Sequence, residues 1–307
     1  MKQAATAPAP VTCDWHIHSC HSCDCKTGAY PSTMADLVAE IEACGVLDYG
    51  ITDHIHTPFN LPDLEASRKA FDALPPNPRR HFAVEVSSVS QWEIDEVANG
   101  TRQNPVYGIR SGGPVAAELA LALTADDITR LGIEYVIGGT HWPMYVPFER
   151  EAIIRDYHRQ NIFLLTHPLT NIIAHPWWWM GHWQNPETKM YTAEPWFDDF
   201  NVIPTSMHDE FIAAARQYGK IVEVNNNAML TSNSYPEKFK QQYCEFLAAV
   251  KGAGVPLSFG SDHHSQHQIY TESACRGGSK SFISSAARLA AVGITDADFW
   301  RLPPRKV

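Results

Sequence analysis

The chain lacks any apolar run approaching the ~20 residues that a membrane-spanning helix needs. Its first ten residues hold one lysine and no apolar core of signal length. We therefore expect a cytosolic protein with no membrane partner. Basic residues are also short: 24 Lys and Arg stand against 34 Asp and Glu, a formal charge of −10. That balance opposes the broad positive footprint with which proteins grip a phosphodiester backbone, so long DNA or RNA is not the expected partner. The formal count omits the local positive charge that bound divalent ions would add. Cysteine is sparse and odd in number, seven in all, which points to reduced thiols rather than a disulfide framework. Cys20 and Cys23 have the spacing of half a zinc knuckle, but no second pair accompanies them, so a closed four-thiolate site is not expected. No internal repeat or low-complexity tract is visible. With 44% hydrophobic and 19% charged residues, the composition excludes a disordered chain.

What is present is a series of short apolar runs, each ending in a histidine or a carboxylate. Val11-Thr12-Cys13-Asp14-Trp15 leads into His16 and His18, and Tyr49-Gly50-Ile51-Thr52 leads into Asp53 and His54. Phe82-Ala83-Val84 carries Glu85, Tyr135-Val136-Ile137 runs to Thr140 and His141, and Ile172-Ile173-Ala174 ends at His175. Leu257-Ser258-Phe259-Gly260 opens onto Asp262 and His264, and Ile221-Val222-Glu223-Val224 adds a further run. Helical spacing of apolar residues falls between them, over 34–44 with a glycine stop at Gly45, 207–218, 235–251 and 280–292, with a capping pattern over 124–127. Alternating strands and helices predict a parallel sheet, and a closed sheet would gather the strand ends on one rim. The reading is an α/β fold, a distorted seven-stranded (β/α)7 barrel, in a single domain spanning residues 1–307. An open doubly wound sheet is the structural alternative, and it would give His16 and Asp262 no reason to meet. Residues 100–114 read as a loop, and 176–204 form a Trp-rich insertion leaving the same rim, a lid or an interface.

His16 and His18 alternate as strand residues do, so both imidazoles face one way. Asp262 and His264 repeat that spacing at another strand end. With His54, Glu85, His141 and His175 these make eight ligand groups, too many for one catalytic zinc with its usual three protein ligands. Two or three divalent ions are expected, and imidazole with carboxylate suits zinc, manganese or iron.

At these residues the chain resembles the polymerase and histidinol phosphatase (PHP) family of metal-dependent hydrolases. The matching segments are Asp14-Trp15-His16-Ile17-His18-Ser19, Ile51-Thr52-Asp53-His54, Ala83-Val84-Glu85-Val86, Gly139-Thr140-His141, Ile173-Ala174-His175-Pro176 and Gly260-Ser261-Asp262-His263-His264-Ser265. Glu223-Val224-Asn225-Asn226-Asn227 also looks like a family segment. The resemblance covers about residues 12–270. It implies a first ion held by His16, His18, Glu85 and Asp262, a second shared through Glu85 with His141 and His175, and a third held by His54 and His264. The remaining third-ion ligand falls at Asp24, where several relatives have histidine, and His21 stands near enough to replace it. Asp262, His264 and Glu85 are then the candidate catalytic groups.

Such a site points to hydrolysis of a small-molecule phosphate ester by a hydroxide bridging two ions. Arg110 and Arg276 are candidate phosphate clamps, and Asn225 and Trp177 candidate substrate contacts. Asp53 is a candidate partner for an imidazole. His263 should point away from the ions, and His56, His167, His182, His208 and His267 have no assigned task. The alternatives are an amidohydrolase or lactonase, which often places a bridging lysine at a strand end where this chain has none, and a nuclease for nucleotides or short oligonucleotides. A metal-binding domain without activity is a weaker fourth reading. Oligomeric state is not legible.

Overall fold

A computed structural model describes residues 11–26, 33–103, 108–109, 111–147, 149–178, 198–264, 270 and 282–305. Every apolar run with a ligand at its end forms a strand. They are β1 (Cys13–His18), β2 (Asp48–Ile51), β3 (His54–Ile55), β4 (Arg80–Phe82) and β5 (Val84–Ser87). A short antiparallel ribbon pairs β6 (Val89–Ser90) with β7 (Leu119–Ala120), and β8 (Val136–Gly139), β9 (Ile172–Ala174), β10 (Ile221–Asn225), β11 (Leu257–Gly260) and β12 (His263–His264) follow. Outside that ribbon all ladders are parallel. Strands such as β5, β8 and β10 are buried along their whole length, as parallel strands covered on both faces must be.

The hydrogen bonding does not draw the single closed ring of seven strands expected from the sequence. The parallel strands fall into two sheets, ordered β12-β1-β2-β4 and β11-β10-β9-β8-β5-β3. The division has a local counterpart, because three strand runs are cut beside candidate ligand residues. The cuts fall at Thr52-Asp53 between β2 and β3, at Ala83 between β4 and β5, and at Ser261-Asp262 between β11 and β12. Side chains replace the missing ladder bonds: Thr52 Oγ1 accepts from the Ile17 N–H at 3.0 Å where the β1–β2 register shifts.

The helices are α1 (Met34–Ala43), α2 (Leu61–Asp72), α3 (Gln91–Ala98), α4 (Ala125–Leu131), α5 (Arg150–Thr166), α6 (Thr205–Gln217), α7 (Glu237–Gly252) and α8 (Phe282–Ala290). Thr33 with Asp36, and Thr124 with Asp127, form capping boxes at α1 and α4. In α1, Met34, Leu37, Val38 and Ile41 make the buried stripe that its spacing predicts. Sequence patterning did not single out α2, α3 or α5. Among the described residues no helix is long and apolar enough to cross a membrane. The expectation of reduced thiols holds for Cys13, Cys20, Cys23, Cys25 and Cys244, but Cys44, at the end of α1, is disulfide-bonded. An odd count is compatible with a disulfide plus free thiols, so cysteine number carries no argument for a reducing compartment here.

Candidate metal centre

Parallel strands put their carboxyl ends on one edge, and nine residues predicted as ligands meet there. Glu85, fully buried in β5, is their hub. Its Oε2 lies 3.0 Å from His16 Nε2, 3.4 Å from His18 Nε2 and 2.7 Å from His54 Nε2. Its Oε1 lies 3.2 Å from His141 Nε2 and 3.1 Å from His175 Nε2. Asp262 Oδ1 stands 3.6 Å from His16 Nε2, 3.4 Å from His18 Nε2 and 3.5 Å from His264 Nδ1. Asp24 faces His264 Nε2 at 3.1 Å and His54 Nδ1 at 3.4 Å, so of the two candidates for that place it is Asp24, not His21, that completes the cluster. Three triads have ligand atoms within 4.8 Å of one another: His18, His54 and His264; His16, His18 and Glu85; His54, Glu85 and His141.

The backbone is bent to make this possible. His175 (φ 26°) and Asp262 (φ 55°) adopt left-handed conformations at their strand ends, a strain that persists only where surrounding contacts enforce it. The Asp262 N–H donates to the His16 carbonyl at 2.8 Å, and the Ser261 N–H to Asp14 Oδ1 at 2.8 Å, tying the β11–β12 turn to β1. At Gly139 a Cβ would stand 2.5 Å from Glu85 Oε1 and 2.6 Å from His141 Cε1, so only glycine leaves room for that pair.

A second set of buried groups orients the first. Glu223 Oε1 lies 2.6 Å from His16 Nδ1, while its Oε2 accepts from the His175 N–H at 2.8 Å and from Asn225 Nδ2 at 3.0 Å. A carboxylate behind a metal-facing imidazole fixes its rotation and tautomer. The sequence singled out Glu223 as part of a motif without a role; its position two residues before Asn225, on the same face of β10, was the available signal. Asn225 also reaches Asp262 Oδ2 at 3.2 Å and accepts from the Ala228 N–H, so its amide is engaged with protein groups. Asp53 holds the Ser19 N–H and hydroxyl at 2.6 and 2.7 Å, bracing the loop after β1 rather than an imidazole.

Electrostatics show what the cluster does without cations. Burial opposes a charge on His54, but Asp24 and Glu85 outweigh it and push its pKa up to about 10. Burial likewise opposes ionisation of Glu85, yet His16, His54 and His141 hold its carboxyl well below the ordinary range. His141 goes the other way, with burial pushing it down to about 4. Imidazolium protons thus neutralise buried carboxylates where divalent ions would serve, and the all-nitrogen-and-oxygen donor set fits zinc, manganese or iron.

Other candidates are placed elsewhere. Trp177 is buried against His158 and His208, with ring centroids 6.0 and 5.9 Å away. Its neighbour Trp178, partly exposed, instead flanks the cluster, 5.1 Å from His175 and 6.2 Å from His141. The tryptophan run signalled an aromatic wall, but not which ring provides it. His263 is buried on Tyr270 at 5.2 Å, away from Glu85 as its alternation predicted. His56, unassigned from sequence, lies 4.7 Å from His54 and 5.5 Å from His141, ring to ring. Lys220 donates to the carbonyls of His167 and Thr170, before β9 and β10 begin, and so stands at the opposite end of the strands. Arg110, Arg276, His182, His267 and residues 179–197 of the insertion lie outside the described residues.

No family model matches the chain, and no curated protein is similar to it in sequence. Solved structures do match. The histidinol phosphate phosphatase of Lactococcus lactis, solved with zinc, L-histidinol and phosphate, superposes with a TM-score of 0.54 at 13% identity, over 97% of each chain. A Listeria monocytogenes protein assigned as a histidinol phosphatase gives a TM-score of 0.50 at 9% identity, over 85% of this chain and 99% of that one. At such identities the likeness is one of fold. The chain shares with these histidinol phosphatase structures, over nearly its whole length, an α/β architecture of parallel sheets.

Proposed function

We propose that the protein is a metal-dependent phosphoesterase acting on a small phosphorylated molecule. One observation carries the reading: five imidazole Nε2 atoms crowd the two oxygens of a single buried carboxylate. A purely structural core has no use for that arrangement, because each buried polar group gains more from a dedicated partner. In this reading His16, His18, Glu85 and Asp262 hold one ion; Glu85, His141 and His175 a second; Asp24, His54 and His264 a third. When bound, such ions supply Lewis acidity, charge neutralisation of a phosphate group and a water acidic enough to attack near neutral pH. Glu85 would contribute to both of the first two positions, its Oε2 facing His16 and His18 and its Oε1 facing His141 and His175, while Asn225 and Glu223 hold Asp262 and His16 in place. His264, with a side chain 21% exposed against 0–8% for its neighbours, marks the side from which substrate enters. The two sheets are then one distorted seven-stranded barrel with interrupted staves. The contents of the Lactococcus structure support a small phosphate ester as substrate class. The amidohydrolase reading is disfavoured by the remote position of Lys220.

Elemental analysis of the purified protein, with a screen of phosphomonoesters, phosphodiesters and nucleotides in zinc, manganese or iron, tests this. We expect two or three ions per chain and phosphate release; full metal without release from any ester removes the phosphoesterase assignment. Loading also has a pH signature. Ions must displace the protons that the carboxylates hold on His54, so zinc binding to chelated protein at pH 7 should release protons and weaken as pH falls. Calorimetry in buffers of different ionisation enthalpy reads this directly; a buffer-independent heat contradicts it. Trp178→Ala should leave metal content intact and change KM for the preferred ester roughly fivefold, the worth of about 1 kcal/mol of aromatic contact.

A further inference from the structure

Ser87, the last residue of β5, stands between two imidazoles. Its Oγ is 2.6 Å from His56 Nδ1 and 2.8 Å from His141 Nδ1, and all three residues are buried. The strands explain the placement. Ser87 follows Glu85 by two residues and so shares its face of β5, while the register pairing His54 with Glu85, continued along both chains, brings His56 opposite Ser87.

A serine hydroxyl carries one hydrogen, so it donates to one ring and must accept from the other. The direction is set at the His141 end. His141 Nε2 faces Glu85 Oε1 at 3.2 Å, and a nitrogen that binds an ion must be bare. The ring proton then sits on Nδ1 and points at Ser87 Oγ. The hydroxyl donates onward to a bare His56 Nδ1, which leaves the His56 proton on Nε2.

We propose that Ser87 and His56 are positioning residues of the metal centre, a one-way hydrogen-bond chain that locks the rotation and tautomer of His141. The proposal rests on the metal reading above. Braces of the other rings are of both kinds. Glu223 supports His16 with a carboxylate, while His54 Nδ1 lies 3.1 Å from the Ser22 hydroxyl and His264 Nδ1 3.0 Å from the Asp262 carbonyl. The brace of His141 is uncharged, so it orients a ligand of the second position without adding a carboxylate to Asp24, Glu85, Glu223 and Asp262.

The test is zinc titration of the chelated full-length protein against a chromophoric chelator, joined to ¹⁵N-edited NMR of the histidine rings. Ser87→Ala and His56→Leu should each weaken one ion ~10–100-fold and leave the others as in wild type. The double variant should lose no more than Ser87→Ala alone, because both changes break one serial chain. His56→Asn, whose amide oxygen offers an acceptor where Nδ1 stands, should recover most of the loss. In the zinc-loaded wild type the spectra should show His141 protonated at Nδ1 and His56 at Nε2. Wild-type affinity in Ser87→Ala, additive losses in the double variant, or a bare His141 Nδ1 would each overturn the proposal. A wild-type protein that takes up no zinc, manganese or iron fails at an earlier step: it removes the metal reading itself.

Discussion

Glu85→Gln is expected to strip the protein of most of its metal and lower phosphoester hydrolysis at least ~10³-fold, with the fold retained. The substitution keeps the shape of the side chain and removes the charge that five imidazoles share. It also replaces one acceptor oxygen with an NH₂ group, which turns a donor toward nitrogen atoms that must stay bare to bind ions. Since Oε2 faces three rings and Oε1 two, neither orientation of the amide spares the site. Elemental analysis, a hydrolysis assay and circular dichroism read the three outcomes separately. Full metal content in the Glu85→Gln variant would show that Glu85 is not the group shared between ions.

Gly260→Ala should be a strongly damaging single-methyl change. A Cβ there would overlap Glu223 Oε1 and stand 2.5 Å from His16 Cβ. The latter atom is fixed to the β1 backbone and cannot swing away as the tip of a flexible chain would. Overpacking of this kind costs about 2–3 kcal/mol, or roughly 3–5 °C in Tm for a chain of this size. Because the displaced groups are His16 and the carboxylate behind it, zinc affinity should fall together with Tm. Wild-type Tm with wild-type zinc affinity would mean that β1 and β11 are not packed as described.

Much of the clustering was legible in the sequence because strand ends and candidate ligands coincide. His16-Ile17-His18 shows its own geometry, since alternation in a strand places both rings on one face, and they meet as read. The identity of the last ligand was left open between Asp24 and His21, because both lie in the loop after β1, where no periodicity fixes direction. The strand interruptions were illegible for a related reason: Thr52, Ala83 and Ser261 look like ordinary members of their runs, and only the tertiary pairing shows that the ladder changes partner there. The contacts of Glu223, Ser87 and His56 from which bracing roles are proposed join residues far apart in the chain, which spacing cannot reveal. The cysteine count misled at Cys44, because a number says nothing of which thiols approach each other.

The pairing of β1 with β12, Ile17 opposite His263 and His18 opposite His264, joins a strand near the start of the described residues to one 246 positions further on. No segment of the chain folding alone can assemble the donors, since every proposed ion draws on elements distant in sequence. On the proposed reading, filling of the first and third positions would therefore be a late event in biosynthesis, open only to a chain made past His264, and contacts of such long range make folding slow. Once bound, ions that recognise only the finished fold draw down its unfolded population, by about 4 kcal/mol at a thousandfold excess over the dissociation constant. Resistance to proteolysis should then track metal supply, with cleavage in starved protein spread along the whole chain rather than confined to the rim of the site.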